Sequence, residues 1–192
     1  MSLLKVAKEV SLDHDNVREL FDRYKSASEV ALKAKIANTL IREMAIHGEA
    51  EEISVYNKLA EYGMFDEVEH DKAEHRQVKE LVAKADQMDP THGDFDKIIT
   101  EAVTVFIKHA EEEEDGQLKK FEAKLSPEEN DKIAREFLAA RKKVPTRPHP
   151  TAPQTGGIAQ KAAGMAAQLM DVAADSMGGR EFVELKYSHP QV

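Results

Sequence analysis

A duplicated helical hairpin is the feature of this sequence that most restricts its fold. Residues 13–20 return as residues 74–81, with His, Val, Glu and Leu at matching positions. Residues 47–59 return as residues 109–121, and each copy starts with His and has Glu at the third, fifth and sixth positions. The copies are 61 residues apart in the first case and 62 in the second. Two copies of one hairpin predict an antiparallel four-helix bundle with an approximate two-fold axis.

The rest of the sequence up to residue 143 also favours an all-α fold. This part is rich in Ala, Glu, Lys and Leu, which are good helix formers, and has few helix breakers. Interruptions are expected at Gly63, at residues 88–93 and at Ser126. They divide the chain into helices predicted at 11–25, 28–61, 67–88, 94–124 and 127–142.

Composition changes after residue 143. Pro145, Pro148, Pro150 and Pro153 follow one another so closely that helix and sheet are excluded there. The chain is therefore divided into a bundle with a short fifth helix over 1–143, a proline-rich linker over 144–156, and a C-terminal amphipathic helix with a tail over 157–192. Ile158, Met165, Leu169, Val172 and Met177 lie broadly on one side of that helix. We expect it to pack back on the bundle or to join two copies as a homodimer.

Six polar residues of the repeat are predicted to face the bundle interior. They are His14, His47, Glu51, His75, His109 and Glu113. His47 and Glu51 are four positions apart and therefore share one helix face, and the second copy repeats this spacing. Ile36, Leu40 and Met44 precede His47 at helical spacing, so this face is the apolar one. Six buried polar groups without partners would be costly, and their convergence on a metal centre removes that cost.

Two carboxylates and four imidazoles suit a pair of iron or manganese ions. The chain contains no Cys, so thiolate ligands and disulfides are excluded. Glu51 and Glu113 are expected to bridge the two ions, with the histidines as terminal ligands. Six ligands leave open positions on the metals, where dioxygen, peroxide or another small molecule would bind.

These motifs and their order resemble the hemerythrin-type HHE cation-binding domain. The resemblance runs from about Ser11 to Lys143 and implies a four-helix bundle with a non-haem di-iron centre. It implies two iron ions, with manganese or zinc as alternatives, joined by an oxo, hydroxo or water bridge. In oxygen-carrying members a His stands four residues before the third-helix His, where this chain has Asp71. Their last motif is His-x-x-x-x-Asp, where this chain has His109 and Glu113. Both departures favour a more open di-iron centre, which either reacts with a small molecule or senses it.

Three neighbouring residues are weighed as additional metal ligands. Asp71 is a candidate seventh ligand. His70 lies about 140° around the helix from His75, so we interpret it as a surface or supporting residue. Glu74 is four residues after His70, and a site built on that pair would require a rotated third helix.

Other polar residues have a simpler interpretation. A solvent-exposed acidic face is expected for Glu49, Glu52, Glu111, Glu112, Glu114 and Asp115. Exposed loop positions are expected for His92, His149 and His189. Tyr24 and Tyr56 could reach the interior and donate to a metal-bound oxygen, although the sequence does not fix the position of either side chain.

Charge narrows the class of protein. With 27 Lys and Arg against 36 Asp and Glu, the net charge is −9, which argues against nucleic-acid and anionic-membrane partners. No apolar run is long enough to span a membrane, and residues 1–9 lack a signal-peptide core, so a cytoplasmic location is expected.

Three hypotheses remain: a di-iron oxidoreductase (an oxygenase or a peroxide-consuming enzyme), a sensor or binding protein for oxygen, nitric oxide or iron, and a metal-free interaction bundle.

Overall fold

The structure is a computed structural model that describes residues 2–152 and 154–192. Its helices are α1 (Val6–Ser26), α2 (Val30–Ile53), α3 (Val55–Glu61), α4 (Phe65–Asp86), α5 (Phe95–Glu112), α6 (Leu118–Glu122), α7 (Pro127–Arg141) and α8 (Ile158–Gly178), with a π-helical turn at Glu113–Gln117. No strand occurs in the described part of the chain, and the all-α prediction is confirmed. Pro153 of the predicted linker lies outside the described residues, as do the side chains of Ile158 and Met177.

Four long helices, α1, α2, α4 and α5, form the predicted bundle. Each carries a stripe of buried apolar residues, such as Val10, Val17 and Leu20 in α1. Helix α1 packs against α2 and α5, and α4 packs against the same two helices. Because short connections join successive helices, neighbours run antiparallel and the four close into a ring.

Two apolar clusters fill this ring, one on each side of a polar layer. The first contains Val10 of α1 and Tyr56 of α3, and the side of α7 that holds Phe137 covers it. The second contains Val17 of α1 and Phe106 of α5. The polar layer lies where His14 separates Val10 from Val17. Hydrocarbon on both sides keeps water away from this layer, which strengthens every charge interaction within it.

The second predicted helix is interrupted. The sequence predicts one helix over 28–61, but α2 ends at Ile53 and α3 starts at Val55. Ser54 between them departs from helical geometry, with φ −130° and ψ −71°. Its hydroxyl donates a hydrogen bond to the carbonyl of Ala50. A serine that bonds back to the previous turn bends helices, and this accounts for the break.

The predicted helix over 94–124 is also irregular, because a π-helical turn at Glu113–Gln117 separates α5 from α6. Four successive glutamates at 111–114, followed by Asp115 and Gly116, lie in or directly before this turn. Like charges repel along a helix and glycine is a poor helix former, so regular α-helix is weak here. Short π-helical turns of this kind are frequent at functional sites.

The C-terminal extension lies against the bundle. Val183 donates its backbone N–H to Thr39 Oγ1 over 3.0 Å, and Tyr187 exchanges two backbone hydrogen bonds with the side chain of Asn16, both 3.0 Å long. Helix α8 leaves Met165 and Leu169 exposed. The homodimer and the limits of the three parts stay predictions. In the described part of the chain, no helix is both long and apolar enough to cross a membrane.

Candidate metal centre

The polar layer brings together the six residues predicted to face the interior. Their side chains come from α1, α2, α4, α5 and the π-helical turn, and each residue is at most 2% exposed: His14, His47, Glu51, His75, His109 and Glu113. Since an unpaired polar group in such surroundings is costly, the arrangement calls for a common partner.

The imidazoles form two pairs. The Nε2 atoms of His14 and His47 are 3.3 Å apart, and those of His75 and His109 are 3.0 Å apart. The ring centroids within the pairs lie 4.7 Å and 4.6 Å apart, whereas His47 and His75, from different pairs, are 5.9 Å apart. Each pair contains one lone His and one His of a His-x-x-x-Glu motif. The two pairs are therefore equivalent under the duplication.

Glu51 lies between the two pairs. Its Oε2 is 3.1 Å from His47 Nε2 and 3.5 Å from His75 Nε2. Tyr56 donates its hydroxyl to the same oxygen over 3.3 Å and lies 3.1 Å from His75 Nε2. The other oxygen, Oε1, has no hydrogen-bond partner among the described residues. One carboxylate oxygen thus faces both imidazole pairs, as a bridging ligand would.

Glu113 occupies the corresponding place in the second copy. Its Oε2 is 3.5 Å from His14 Nε2 and 4.0 Å from His109 Nε2. Neither of its carboxylate oxygens has a hydrogen-bond partner in the part of the chain that the structure describes. A fully buried carboxyl group of this kind fits a cation, because a bound metal supplies the missing partner.

The electrostatics of the two carboxyl groups and of two of the histidines also favour a bound cation. Burial, followed by the charge of Glu51, raises the pKa of Glu113 well above its usual range. Burial would also raise the pKa of Glu51, but His47 outweighs it and lowers that pKa to about 2. One carboxylate therefore disfavours ionisation of the other, and a cation between them would remove this repulsion. Burial lowers the pKa of His14 and His75 to about 4, so both imidazoles are neutral at pH 7 and able to bind a metal.

A carboxylate also faces the outer nitrogen, Nδ1, of His47 and of His109. Asp13 Oδ2 is 3.3 Å from His47 Nδ1, and Glu74 Oε2 is 3.1 Å from His109 Nδ1. These carboxylates orient the rings and direct Nε2 inward, as outer partners of metal-ligating histidines commonly do. Asp13 and Glu74 are 61 residues apart, the offset of the first repeat.

Carboxylates also face the outer nitrogens of the other two histidines. Glu114 Oε1 is 2.8 Å from His14 Nδ1, and Glu52 Oε1 is 3.5 Å from His75 Nδ1. Glu52 and Glu114 are 62 residues apart, the offset of the second repeat. The duplication therefore includes the carboxylates that support the histidines, and this regularity could have identified them from the sequence.

The prediction that Glu49 and Glu52 form a solvent-exposed face is wrong. Both are buried, and Lys79 Nζ lies 2.6 Å from a Glu49 oxygen and 3.0 Å from a Glu52 oxygen. Gln160 of α8 donates to Glu49 over 3.0 Å and to Glu52 over 2.8 Å, and Gln154 donates to Glu52 over 2.7 Å. Helix α4 and the C-terminal extension cover this face of α2, which the local sequence does not indicate. Glu114, also predicted as exposed, is half-buried by its bonds to His14 and Arg18.

His189 is likewise not an exposed loop residue. Its Nε2 is 2.8 Å from Asp13 Oδ1 and its Nδ1 is 2.9 Å from Glu9 Oε2. Arg141 also donates to Asp13. Although burial alone would raise the pKa of Asp13, Arg141 and His189 hold it well below its usual range. The tail thus reaches a carboxylate that contacts His47.

The three additional candidates lie on one side of the centre. His70 is 53% exposed and its Nε2 is 3.2 Å from Glu112, so it lies at the surface. Asp71 is fully buried, and its Oδ1 accepts a hydrogen bond of 2.7 Å from Gln117. Glu74 contacts the outer nitrogen of His109 rather than the inner one. A metal site built on His70 and Glu74 would require a rotated α4, and these positions show that α4 is not rotated in this way.

The remaining candidates divide by location. Tyr56 reaches the layer, whereas Tyr24 is hydrogen-bonded to Asp96. His92 is exposed as expected, and His149 is partly buried and lies 3.1 Å from Asp171.

Comparisons with known proteins agree with this geometry. The family described as the hemerythrin HHE cation-binding domain matches residues 6–121. An uncharacterised hemerythrin-like protein of Schizosaccharomyces pombe is 30% identical over 179 residues, which cover 91% of this chain and 87% of that protein. A DNA nickase of Nostoc is 21% identical over 138 residues, covering 72% of this chain but 39% of the nickase. No solved structure matches the chain. The chain belongs to the hemerythrin HHE cation-binding domain family.

Proposed function

We propose that this protein is a non-haem di-iron protein that binds or activates dioxygen or peroxide. The observation that carries the proposal is the convergence of four imidazole Nε2 atoms on two buried carboxylates, one of which has no hydrogen-bond partner among the described residues. Imidazole and carboxylate ligands suit iron, and manganese or zinc are the alternatives.

In this proposal His14 and His47 hold one ion, and His75 and His109 hold the other. Glu51 and Glu113 each face both pairs and would bridge the ions. Six protein ligands leave coordination positions open. When bound, an iron pair supplies one- and two-electron redox chemistry to a small molecule at those positions.

The surrounding residues restrict what reaches the centre. Phe106 packs edge-on against His47 with ring centroids 5.1 Å apart, and Phe137 packs against the same ring at 6.5 Å. Tyr56 places a hydroxyl beside His75 and Glu51, where it can donate a hydrogen bond to a bound small molecule. The apolar walls exclude water, and the tyrosine orients the ligand.

One observation favours a second candidate function, sensing or binding of oxygen, nitric oxide or iron without turnover. A cavity of about 820 Å³ lies between α3, α7 and α8, and its lining includes Glu49 and Gln160 but none of the six central residues. The candidate metal centre therefore does not open onto this cavity. A centre without such an opening suits a diatomic ligand better than an organic substrate. Since the net charge of −9 opposes contact with phosphate backbones, we propose no nucleic-acid partner.

Elemental analysis of the purified protein, with absorption spectra in air and after reduction, tests the proposal. We expect two irons per chain and a spectrum that changes reversibly with oxidation state. Added peroxide is then consumed repeatedly by an enzyme, whereas a sensor gives one spectral change without turnover. A metal-free protein with full helicity, and with a stability that added Fe²⁺ leaves unchanged, would contradict the proposal.

A further inference from the structure

A second group of metal-binding side chains lies outside the central six, on the surface between α4 and α5. Donor atoms of His70, Glu74 and Glu112 lie within 4.8 Å of one another. His70 Nε2 is 3.2 Å from Glu112 Oε2 and 3.6 Å from Glu74 Oε1. His70 and Glu112 are exposed, so solvent reaches this group directly.

Lys108 occupies this surface group in the structure. Its Nζ is 3.0 Å from Glu74 Oε1 and 2.7 Å from Glu112 Oε1. The Lys108 side chain is 62% exposed. A long, exposed ammonium side chain is displaced at little cost, because exposed ion pairs contribute little stability. The surface group therefore already binds a positive charge, the Lys108 ammonium, which a metal ion can displace.

A buried carboxylate connects this surface group to the interior. Donor atoms of Asp71, Glu74 and His109 also lie within 4.8 Å of one another. Asp71 is fully buried, and its Oδ2 has no hydrogen-bond partner among the residues described. An unpaired buried carboxylate oxygen between a surface group and a candidate ligand points to a cation that passes there.

Three groups of donors thus follow one another from solvent to the polar layer. Glu74 belongs to the surface group and to the intermediate one, and His109 belongs to the intermediate group and to the centre. His70, Asp71 and Glu74 lie within about one turn of α4, so a single helix carries the outer half of the series. Hydrocarbon flanks the two faces of the layer, where an ion cannot pass without great cost. Among the carboxylates at the rim of the layer, Glu74 is the one that also belongs to a surface group of metal-binding side chains in the described part of the chain.

We infer that this series is the route by which metal enters the centre. A divalent cation is captured by His70, Glu74 and Glu112, displaces the Lys108 ammonium, and passes Asp71 to reach His109. The inference rests on the proposed di-metal centre and adds to it a separate capture site for a divalent metal.

The rate of metal loading tests this route without any measurement of activity. Metal-free protein is mixed anaerobically with Co²⁺ at low concentration, and the cobalt absorption bands report binding with time. His70→Ala and Glu112→Gln are expected to load about ten-fold more slowly than the unmodified protein, because Glu112→Gln removes a negative charge that attracts the cation and His70→Ala removes one of the three donors of the capture site. Lys108→Gln is expected to load faster, because no ammonium has to be displaced. Glu111→Gln, an exposed change of the same charge next to the site, is the matched control and should load at the original rate.

The final amount of bound Co²⁺ separates this role from ligation. Equal final absorbance in all variants, with rates changed as stated, supports the route. Unchanged rates in His70→Ala and Glu112→Gln would overturn it, and so would a lower final stoichiometry, since these residues would then be ligands of the loaded centre. If the unmodified protein takes up no Co²⁺ at all, the proposed function itself fails, and the route fails with it.

Discussion

Replacing Glu113 by Met should stabilise the metal-free protein and weaken its response to metal. Glu113 is a fully buried carboxyl group whose two oxygens lack hydrogen-bond partners among the described residues. A buried polar group left unpaired costs about 1–3 kcal/mol. Met has a similar volume and no polar atoms to satisfy. Glu113→Met should therefore raise the free energy of unfolding by about 1–3 kcal/mol in the presence of a chelator.

Addition of metal should reverse this order. A ligand that binds the folded state at a hundred times its Kd stabilises that state by about 2.7 kcal/mol. The unmodified protein should gain this amount per bound ion from anaerobic Fe²⁺, whereas Glu113→Met lacks a shared ligand and should gain much less. Urea denaturation followed by circular dichroism, with chelator and with Fe²⁺, measures both effects in one series.

Glu111→Met provides the matched control. Glu111 is exposed and lies two residues before Glu113, so its replacement should change stability by less than about 0.5 kcal/mol under either condition. The reasoning is refuted if Glu113→Met is less stable than the unmodified protein in chelator, or if both proteins gain equally from Fe²⁺. The first result would mean that the buried carboxyl group stabilises the metal-free fold, and the second would mean that it does not bind the metal.

Three further changes test other parts of the structure. Phe106→Ala removes a ring that is 1% exposed and packs on His47, and it should lower the free energy of unfolding by about 3–5 kcal/mol in urea titrations. Gln160→Leu removes one buried donor from Glu49 and Glu52, which keep Lys79, and should cost about 1–3 kcal/mol in the same assay, and an unchanged midpoint would show that α8 is not needed there. For His189, burial lowers the pKa, but bonding to Asp13 outweighs it and raises the pKa above 6.5. The stability advantage of the unmodified protein over His189→Gln should thus be complete below pH 6.5 and decline as pH rises through the raised pKa, and equal stabilities at every pH would contradict this assignment.

The central residues could be predicted from the sequence because duplication repeats their chemistry as well as their spacing. A lone His at position 14 is ambiguous, but a second copy at 75, together with the His47 and Glu51 pair and its own copy, removes the ambiguity. Helical periodicity then places these side chains on the apolar face, since 100° per residue is a property of any α-helix. The fold and the polar layer follow from local rules of this kind.

What could not be predicted depends on contacts between distant segments. Glu49 and Glu52 have the local sequence of a surface helix, and they are buried because Lys79 and Gln160 happen to lie against them. His189 next to Pro190 has the local features of an exposed loop, and its partner Asp13 is 176 residues away. The spacing of residues within one helix contains no information about a contact with a distant segment.

The outer carboxylates also divide the duplicated bundle into two unlike flanks. Asp13 and Glu52 are 2% and 0% exposed beneath the C-terminal extension, whereas their counterparts Glu74 and Glu114 are 12% and 26% exposed. The duplication alone predicts two equivalent sides, but in this chain one side is covered by the C-terminal extension and the other is partly exposed to solvent. Protons and ions should therefore enter and leave the centre on the exposed side. A shortened protein that ends near residue 143 would also expose the side that the C-terminal extension covers, and would gain a second entrance.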